Sequence, residues 1–424
     1  MRPSRYLLLL FTTVLFGLGV TGVFNAWVDP LELVSSSGVH GLDPNKPLVN
    51  TYARLSKPAV DCRLQPSFVI LGTSRSQHAL DPEWPGLAGR GYHAFNLAFP
   101  GASIYEIRRA FENATACGSL RGALIELDFL GFGIHAPNAP DFQDELFRRK
   151  PGDWLRPSLQ VLRLLTSWDM TKESIRTLRM RPSQSEFEPD GRETDIVFER
   201  RVRSWGGVRG AFRRSERAQY VDPILSSPDG QRPVFRFADG SPNTADLGAI
   251  LEVARRNHVR LWFFVAPVHA RQLEVFRALG LWPQFEDWKS TVVRFTCEQS
   301  ERLTFPQPPE VWDFSGYNSV TTENVPALGD SKSRMTGYWE SSHIRKHVGD
   351  LILARIFGSE QQQAALQLPN DFGVRLTNNN VESDTARIRA EGIQYRYSHP
   401  LEEDEVEREV ELVSMKPLTA GQLH

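Results

Sequence analysis

The sequence predicts an α/β protein built on a parallel sheet and preceded by one apolar N-terminal helix. Three observations lead there. Short apolar runs recur along the chain and stop at a glycine, an acidic residue or a proline. Stretches with helical spacing lie between them, the order of a parallel sheet with right-handed crossovers. Tyr6 to Trp27 carries no charge and is about long enough to cross a bilayer core as a helix.

Arg2 and Arg5 precede that apolar segment and Asp29 follows it. The positive-inside rule then leaves the N-terminus in the cytoplasm, residues 6–27 in the lipid bilayer and the remainder outside. A cleavable signal peptide is the rival reading. Its apolar region is usually shorter and ends in a small-residue site, which Phe24 and Ala26 do not supply. An uncleaved signal anchor over residues 1–27 is the expectation. Residues 28–65, rich in Pro, Ser and Gly, read as an irregular lead-in.

Phe68–Leu71 is a continuous apolar run closed by Gly72, as in a strand buried on both faces. A short helical or looped segment (76–84) leads to a second strand, Tyr92–Leu97. Pro100-Gly101-Ala102-Ser103 makes a turn. The helix that follows, Ile104–Ala116, carries Ile104, Ile107, Ala110 and Phe111 on one face. Gly122–Leu127 is a third strand ending at Asp128. Residues 132–235 break the rhythm with Arg, Pro, Ser and Trp and read as a long insertion at the carboxyl edge of the sheet, in the position of a lid. The alternation resumes with a helix (243–258) and a fourth strand, Val259–Ala266. Two helices (270–279 and 288–302), a fifth strand (Val311–Phe314) and a closing helix (346–356) follow. Residues 359–424 form a polar, acidic extension. Leu401–Leu412 alternates as an edge strand does, and so do Ile393, Tyr395 and Tyr397. A hairpin, a small appendage or a solvated acidic tail all fit that pattern.

The formal net charge of −2 gives no support for nucleic-acid binding. No His, Cys and Asp cluster has the spacing of a metal site, and no cofactor is expected. Cys62 and Cys117 each precede a strand at its amino-terminal edge. An oxidising compartment permits a disulfide between them, and two unlinked thiols are the alternative. Cys297 is left over.

In an open α/β sheet, ligands bind at the carboxyl ends of the strands. Ser74 with Arg75, the turn from Asn96 to Gly101, Asp128, His269 and the loop carrying Asn318 all fall at such ends. Thr73 and Ser74 can simply cap the following helix. A serine acts as a nucleophile only when a base takes its proton and a third group orients that base. His343 and Glu340, three residues apart, have those types and share a face of one turn. The amides of Ser74 and Gly101 are candidates for an oxyanion hole. Arg75, Asn96, Asp128, His269 and Asn318 are candidates for substrate contacts. His78, His93 and His347 read as surface or packing residues.

This layout resembles the SGNH (GDSL-type) hydrolase superfamily. The resemblance lies in Gly72-Thr73-Ser74 after the first strand, the glycine turn after the second, and Glu340-Ser341-Ser342-His343 near the end of residues 66–358. Phe95 to Ser103, Trp312 to Asn318 and Tyr338 to His343 look more closely like the membrane-anchored bacterial branch. That branch includes alginate O-acetylation proteins and the D-alanyl transfer protein of Gram-positive walls. The resemblance implies a three-layer α/β/α, flavodoxin-like sheet, with Ser74 as nucleophile, His343 as base and Glu340 as its partner. It implies acyl-ester hydrolysis or O-acetyl transfer on an envelope or secreted polysaccharide. It further implies a bacterial inner-membrane location with the bulk of the chain in the periplasm, and a membrane-bound O-acyltransferase as partner. Two positions depart from the family. Thr73 stands where an aspartate is usual, and Leu127-Asp128-Phe129-Leu130 where an oxyanion-hole asparagine is usual. An ionised carboxylate cannot donate that hydrogen bond. The departures favour an alternative, a non-catalytic glycan-binding or scaffold member. The joint presence of Ser74, Glu340 and His343 favours the enzyme.

Overall fold

The computed structural model of the chain describes residues 3–34, 42–43, 46, 48–49, 51–147, 155–180, 186–226 and 234–415. Arg2 and parts of the lead-in (35–41), the insertion (148–154, 181–185, 227–233) and the extension (416–424) lie outside the described residues. Helix α1 (Pro3–Val28) turns its apolar side chains outward, and Asn25 is its one buried residue. Among the described residues it alone is long and apolar enough to cross a membrane, as a signal anchor or a signal sequence would be.

Helix α2 (Ala53–Leu64) corrects the expectation of an irregular lead-in. Pro58 lies inside it and masks the helical pattern, while Arg54, Lys57 and Asp61 are buried. Strand β1 (Phe68–Leu71) is buried throughout. It runs through the Gly72-Thr73 turn into α3 (Ser74–Ala79). Then come α4 (Pro85–Ala88), β2 (Ala94–Asn96), α5 (Ile104–Cys117) and β3 (Gly122–Leu127). Ser103 and Glu106 form a capping box that starts α5. The insertion is helical: α6 (Asp144–Phe147), α7 (Leu155–Leu165), α8 (Trp168–Arg179), α9 (Ile196–Ser204) and α10 (Val208–Glu216). A π-helical turn (Arg217–Val221) and α11 (Asp222–Ser226) complete it. The core resumes with α12 (Ala245–Arg256), β4 (Arg260–Val265), α13 (Ala270–Ala278), α14 (Trp282–Arg302), β5 (Glu310–Asp313) and α15 (Lys346–Phe357). The extension contributes α16 (Glu360–Ala365), β6 (Val374–Leu376), α17 (Val381–Ser398) and α18 (Pro400–Ser414).

The six strands form one sheet in the order β2-β1-β3-β4-β5-β6. The first five are parallel, with Phe68 opposite both Ala94 and Gly122. β6 pairs antiparallel with β5, so the sheet is mixed where an all-parallel one is predicted. Helices cover both faces. Val69, Leu71, Ile125 and Phe263 point into one apolar cluster, and Phe68, Ile70, Leu124 and Trp262 into the other. Cys62 on α2 and Cys117 at the end of α5 form a disulfide.

The extension also corrects the sequence reading. Residues 393–397 and 401–412 are helical, not strands or a loose tail. Val406 and Val410, four apart, are buried on one face of α18. Its acidic face meets arginines from other elements. Arg271 on α13 is fully buried and pairs with Glu216 of α10 at 2.8 Å and with Glu402 and Glu405 of α18. Arg209 of α10 also binds Glu402 and Glu405, and Arg213 binds Glu409 at 2.9 Å. The acidic run therefore clamps the insertion to the sheet domain.

Candidate active site

The turn after β1 is built around a buried carboxylate. Glu126 of β3 accepts five hydrogen bonds: from the Thr73 amide (2.9 Å) and hydroxyl (2.8 Å), the Ser76 hydroxyl (2.6 Å) and amide (3.3 Å), and the Arg75 guanidinium (3.0 Å). Gly72 is required at the corner, because a Cβ there would stand 2.5 Å from the Glu126 Cβ. Thr73 is the N-cap of α3, so the capping reading of this residue holds. An aspartate in its place would set a second carboxylate against Glu126, which gives the departure at position 73 a local physical reason.

Ser74 is the first residue of α3, where an amide has no intrahelical acceptor. Its hydroxyl lies 2.7 Å from Nε2 of His343, although the two are 269 positions apart. Nδ1 of His343 meets Oε1 of Glu340. A carboxylate there calls for a proton on Nδ1, which leaves the Nε2 lone pair facing the serine hydroxyl. Glu340 is held in turn by the amides of Ser342 (3.0 Å) and His343 (2.9 Å), and by the hydroxyl of Ser215 on α10. Burial pushes its carboxyl up, but His343 and these hydrogen bonds outweigh that and hold it below the usual value. Phe198 of α9 packs on the His343 ring, with centroids 4.8 Å apart.

Ser74 and His343 open onto a pocket of about 680 Å³. Its floor is the carboxyl end of the sheet: Thr73 to Arg75 after β1, Pro100 to Ser103 after β2, and Asp128 after β3. Its roof is the insertion, through Glu193, Phe198, Arg201, Gln219 and Tyr220. The π-helical turn brings two consecutive residues, Gln219 and Tyr220, to the pocket wall. Gly101 lines it too, in the left-handed conformation (φ 59°).

The candidates for substrate contact divide into two groups. Arg75 and Asp128 line the pocket but bind each other. Arg75 also reaches the Ser342 hydroxyl at 3.3 Å and the Tyr220 hydroxyl at 3.5 Å. Burial opposes its charge, but Asp128, Tyr220 and Glu126 raise its pKa well above the ordinary value. Asn96, His269 and Asn318 do not line the pocket. The Asn96 amide ties β2 to the Ser76 and Leu80 carbonyls. Asn318 binds within its own loop. His269 caps α13, and its amide donates to the Ser341 carbonyl at 2.9 Å, so it supports the Glu340–His343 turn from behind. Its Nε2 donates to the Glu323 carbonyl at 2.7 Å and its Nδ1 accepts from the Arg271 amide. His78 is buried against Phe198 and accepts from the Trp339 indole at 2.7 Å, while His93 and His347 are exposed.

Glu126, Ser215, Tyr220 and Phe198 are site residues that sequence reasoning passes over. Only Glu126 carries a signal, as a lone acid inside a buried apolar strand. No group of His, Cys, Asp and Glu able to hold a metal occurs among the described residues. The chain matches no protein-family model and no curated protein. Fold and site together define an α/β protein with a serine–histidine–glutamate relay at the carboxyl edge of its sheet.

Proposed function

We propose that the protein is a membrane-anchored, extracytoplasmic acyl esterase or O-acyltransferase of the SGNH type, acting on acyl esters of an envelope or secreted polysaccharide. The observation that carries this reading is the 2.7 Å contact between Ser74 Oγ and His343 Nε2 on a pocket wall, with Glu340 behind the imidazole. The order β2-β1-β3-β4-β5, with helices on both faces, supports the three-layer flavodoxin-like arrangement. The pocket lies where β1 and β3 are neighbours, the switch point of that order. The disulfide suits an oxidising compartment such as the periplasm, and α1 suits an inner-membrane anchor near a membrane-bound acyl donor partner.

The chemistry follows from the relay. Ser74 Oγ attacks the ester carbonyl while His343 Nε2 takes its proton. The amides of Ser74 and Gly101 are the donors available to the oxyanion. When the intermediate collapses, the carbon–oxygen bond to the leaving sugar breaks, and His343 returns the proton to that oxygen. Ser74 is left acylated. Water or a second hydroxyl, deprotonated by His343, then takes the acyl group and Ser74 regains its proton. Glu340 holds the imidazole and stabilises its cation in both halves.

A fluorophosphonate probe on the full chain tests this. The expected adduct is on Ser74, lost in Ser74→Ala and His343→Ala, with Glu340→Gln slowing aryl acetate hydrolysis on the order of 10⁴-fold. One observation favours the non-catalytic alternative: no asparagine lines the pocket among the described residues. A folded chain that takes no label overturns the enzyme reading and favours that alternative.

A further inference from the structure

Helix α1 does not leave the sheet domain as a free tether. The Asn25 side chain donates to the Leu165 carbonyl at 2.7 Å and to the Thr171 hydroxyl at 3.0 Å. It accepts from the Ser174 hydroxyl at 2.8 Å. A Cβ on Gly22 would stand 3.4 Å from the Thr166 methyl. These partners belong to α7, α8 and the turn between them, about 140 residues further along the chain.

The level of this contact is fixed by length. Residues 6–24, the uncharged part of α1, precede Asn25, and 19 helical residues rise about 28 Å. That is close to the roughly 30 Å thickness of a bilayer core. The α7–α8 turn therefore sits where the hydrocarbon ends. There, both helices present apolar side chains outward: Leu159 (55% exposed), Leu162 (55%), Trp168 (71%) and Leu178 (58%). Val23 and Trp27, in the last turns of α1, are exposed as well. Arg163, Lys172, Arg176 and Arg179 are exposed on the same two helices. Apolar residues, a tryptophan and flanking cations are the composition of a helix that lies in an anionic lipid interface.

We propose that the α7–α8 hairpin is embedded in the interfacial layer of the membrane that α1 crosses, as a second attachment that fixes the domain against the lipid. This rests on the anchor part of the proposed function. The occupant is lipid because the hairpin that carries these exposed apolar side chains is bonded to the spanning helix at Asn25, the depth where the bilayer core ends.

The test uses the full chain with Cys297→Ser, reconstituted without other proteins into phosphatidylcholine–phosphatidylglycerol vesicles. An environment-sensitive fluorophore is placed on Leu159→Cys, Leu162→Cys or Trp168→Cys, on Phe16→Cys within α1, and on His347→Cys as an exposed control. Lipids carrying a nitroxide near the headgroup or deep in the chain act as quenchers. The expected result is severalfold stronger headgroup-level quenching at 159, 162 and 168 than at 347, with deep quenching at 16. Quenching at 159, 162 and 168 no stronger than at 347, with position 16 still deeply quenched, overturns the proposal and leaves the anchor intact. That outcome would assign the face to a protein partner. Loss of quenching at position 16 as well removes the anchor reading and the proposal together.

Discussion

Glu126 shows how one side chain can set the position of another it never touches. It binds the residue before Ser74 and the two after it, so the serine is held by its neighbours. Removing one donor should cost less than removing the acceptor. Thr73→Val deletes the hydroxyl's hydrogen bond to the Glu126 carboxylate and its cap on the Arg75 amide, a loss of about 2–4 kcal/mol. Glu126→Gln turns an acceptor-only group toward five donors into one that must itself donate, and leaves Arg75 with Asp128 alone as ion partner. We expect a loss of about 3–5 kcal/mol in denaturant unfolding, comparable to breaking a buried ion pair. Serine labelling should fall in step with the turn. At this scale the sequence was partly legible. Ser74 was marked by residue type and strand-end placement, Glu340 and His343 by residue type and their three-residue spacing, and the three meet in the structure. Asn96, His269 and Asn318 had the same marks, but their polar atoms are consumed by backbone groups: Asn96 by carbonyls of α3, His269 by the Glu323 carbonyl, and Asn318 by its own loop. Sequence position cannot reveal which way such a side chain turns.

Among the elements, α18 is the one whose meaning changes most between sequence and structure. Its two buried valines are four apart, a spacing that suits both a strand and a helix. What decides for the helix is the set of arginines on α10 and α13, which no local pattern contains. Arg271 has no exposed side-chain surface and faces three carboxylates. Arg271→Met should destabilise the fold by about 3–5 kcal/mol, since Glu216 is left buried without its cation. Pairing it with Glu216→Leu should recover much of that loss, as measured by urea midpoints of the single and double variants. Strand β6 escaped the sequence reading because its three residues, Val374-Arg375-Leu376, lie inside the polar extension. Strands β1, β3 and β4 were legible as nearly continuous apolar runs, and β2 and β5 by their place in the strand–helix alternation.

For the whole molecule, two buried bases give stability a definite pH dependence. Burial drives the His269 imidazole down to about 4, well below its ordinary value of 6.5. The unfolded chain therefore takes up a proton between those values that the folded chain refuses. Stability should fall by about 3 kcal/mol as pH drops from 6.5 to 4. Burial likewise lowers Lys57 to about 7, against 10.5, despite Glu193 and Asp190 nearby. Here too the unfolded state holds more protons, so stability should rise from pH 7 toward 10, by on the order of 4 kcal/mol. Urea midpoints across pH should show both slopes. His269→Gln should remove the acid slope, and Lys57→Met the alkaline one. Neither lysine nor histidine burial was legible, since α2 hid behind Pro58, and the His269 ring is covered by Phe212 of α10, which belongs to the irregular insertion. The insertion was visible as a break in rhythm, but its packing on the pocket depends on contacts with the distant C-terminus.

That dependence sets an order of events during biosynthesis. The chain emerges N-terminus first, so Ser74 and the roof residues arrive long before the helix that holds the roof down. Until residues 400–414 appear, Arg209 and Arg213 lack their acidic partners, and Arg271 keeps only Glu216. His343 arrives late as well. A half-made chain thus exposes its serine without a base beside it or a fastened cover above it. Among the described residues, α18 is made after every residue of the pocket, and it is the helix that fastens the roof.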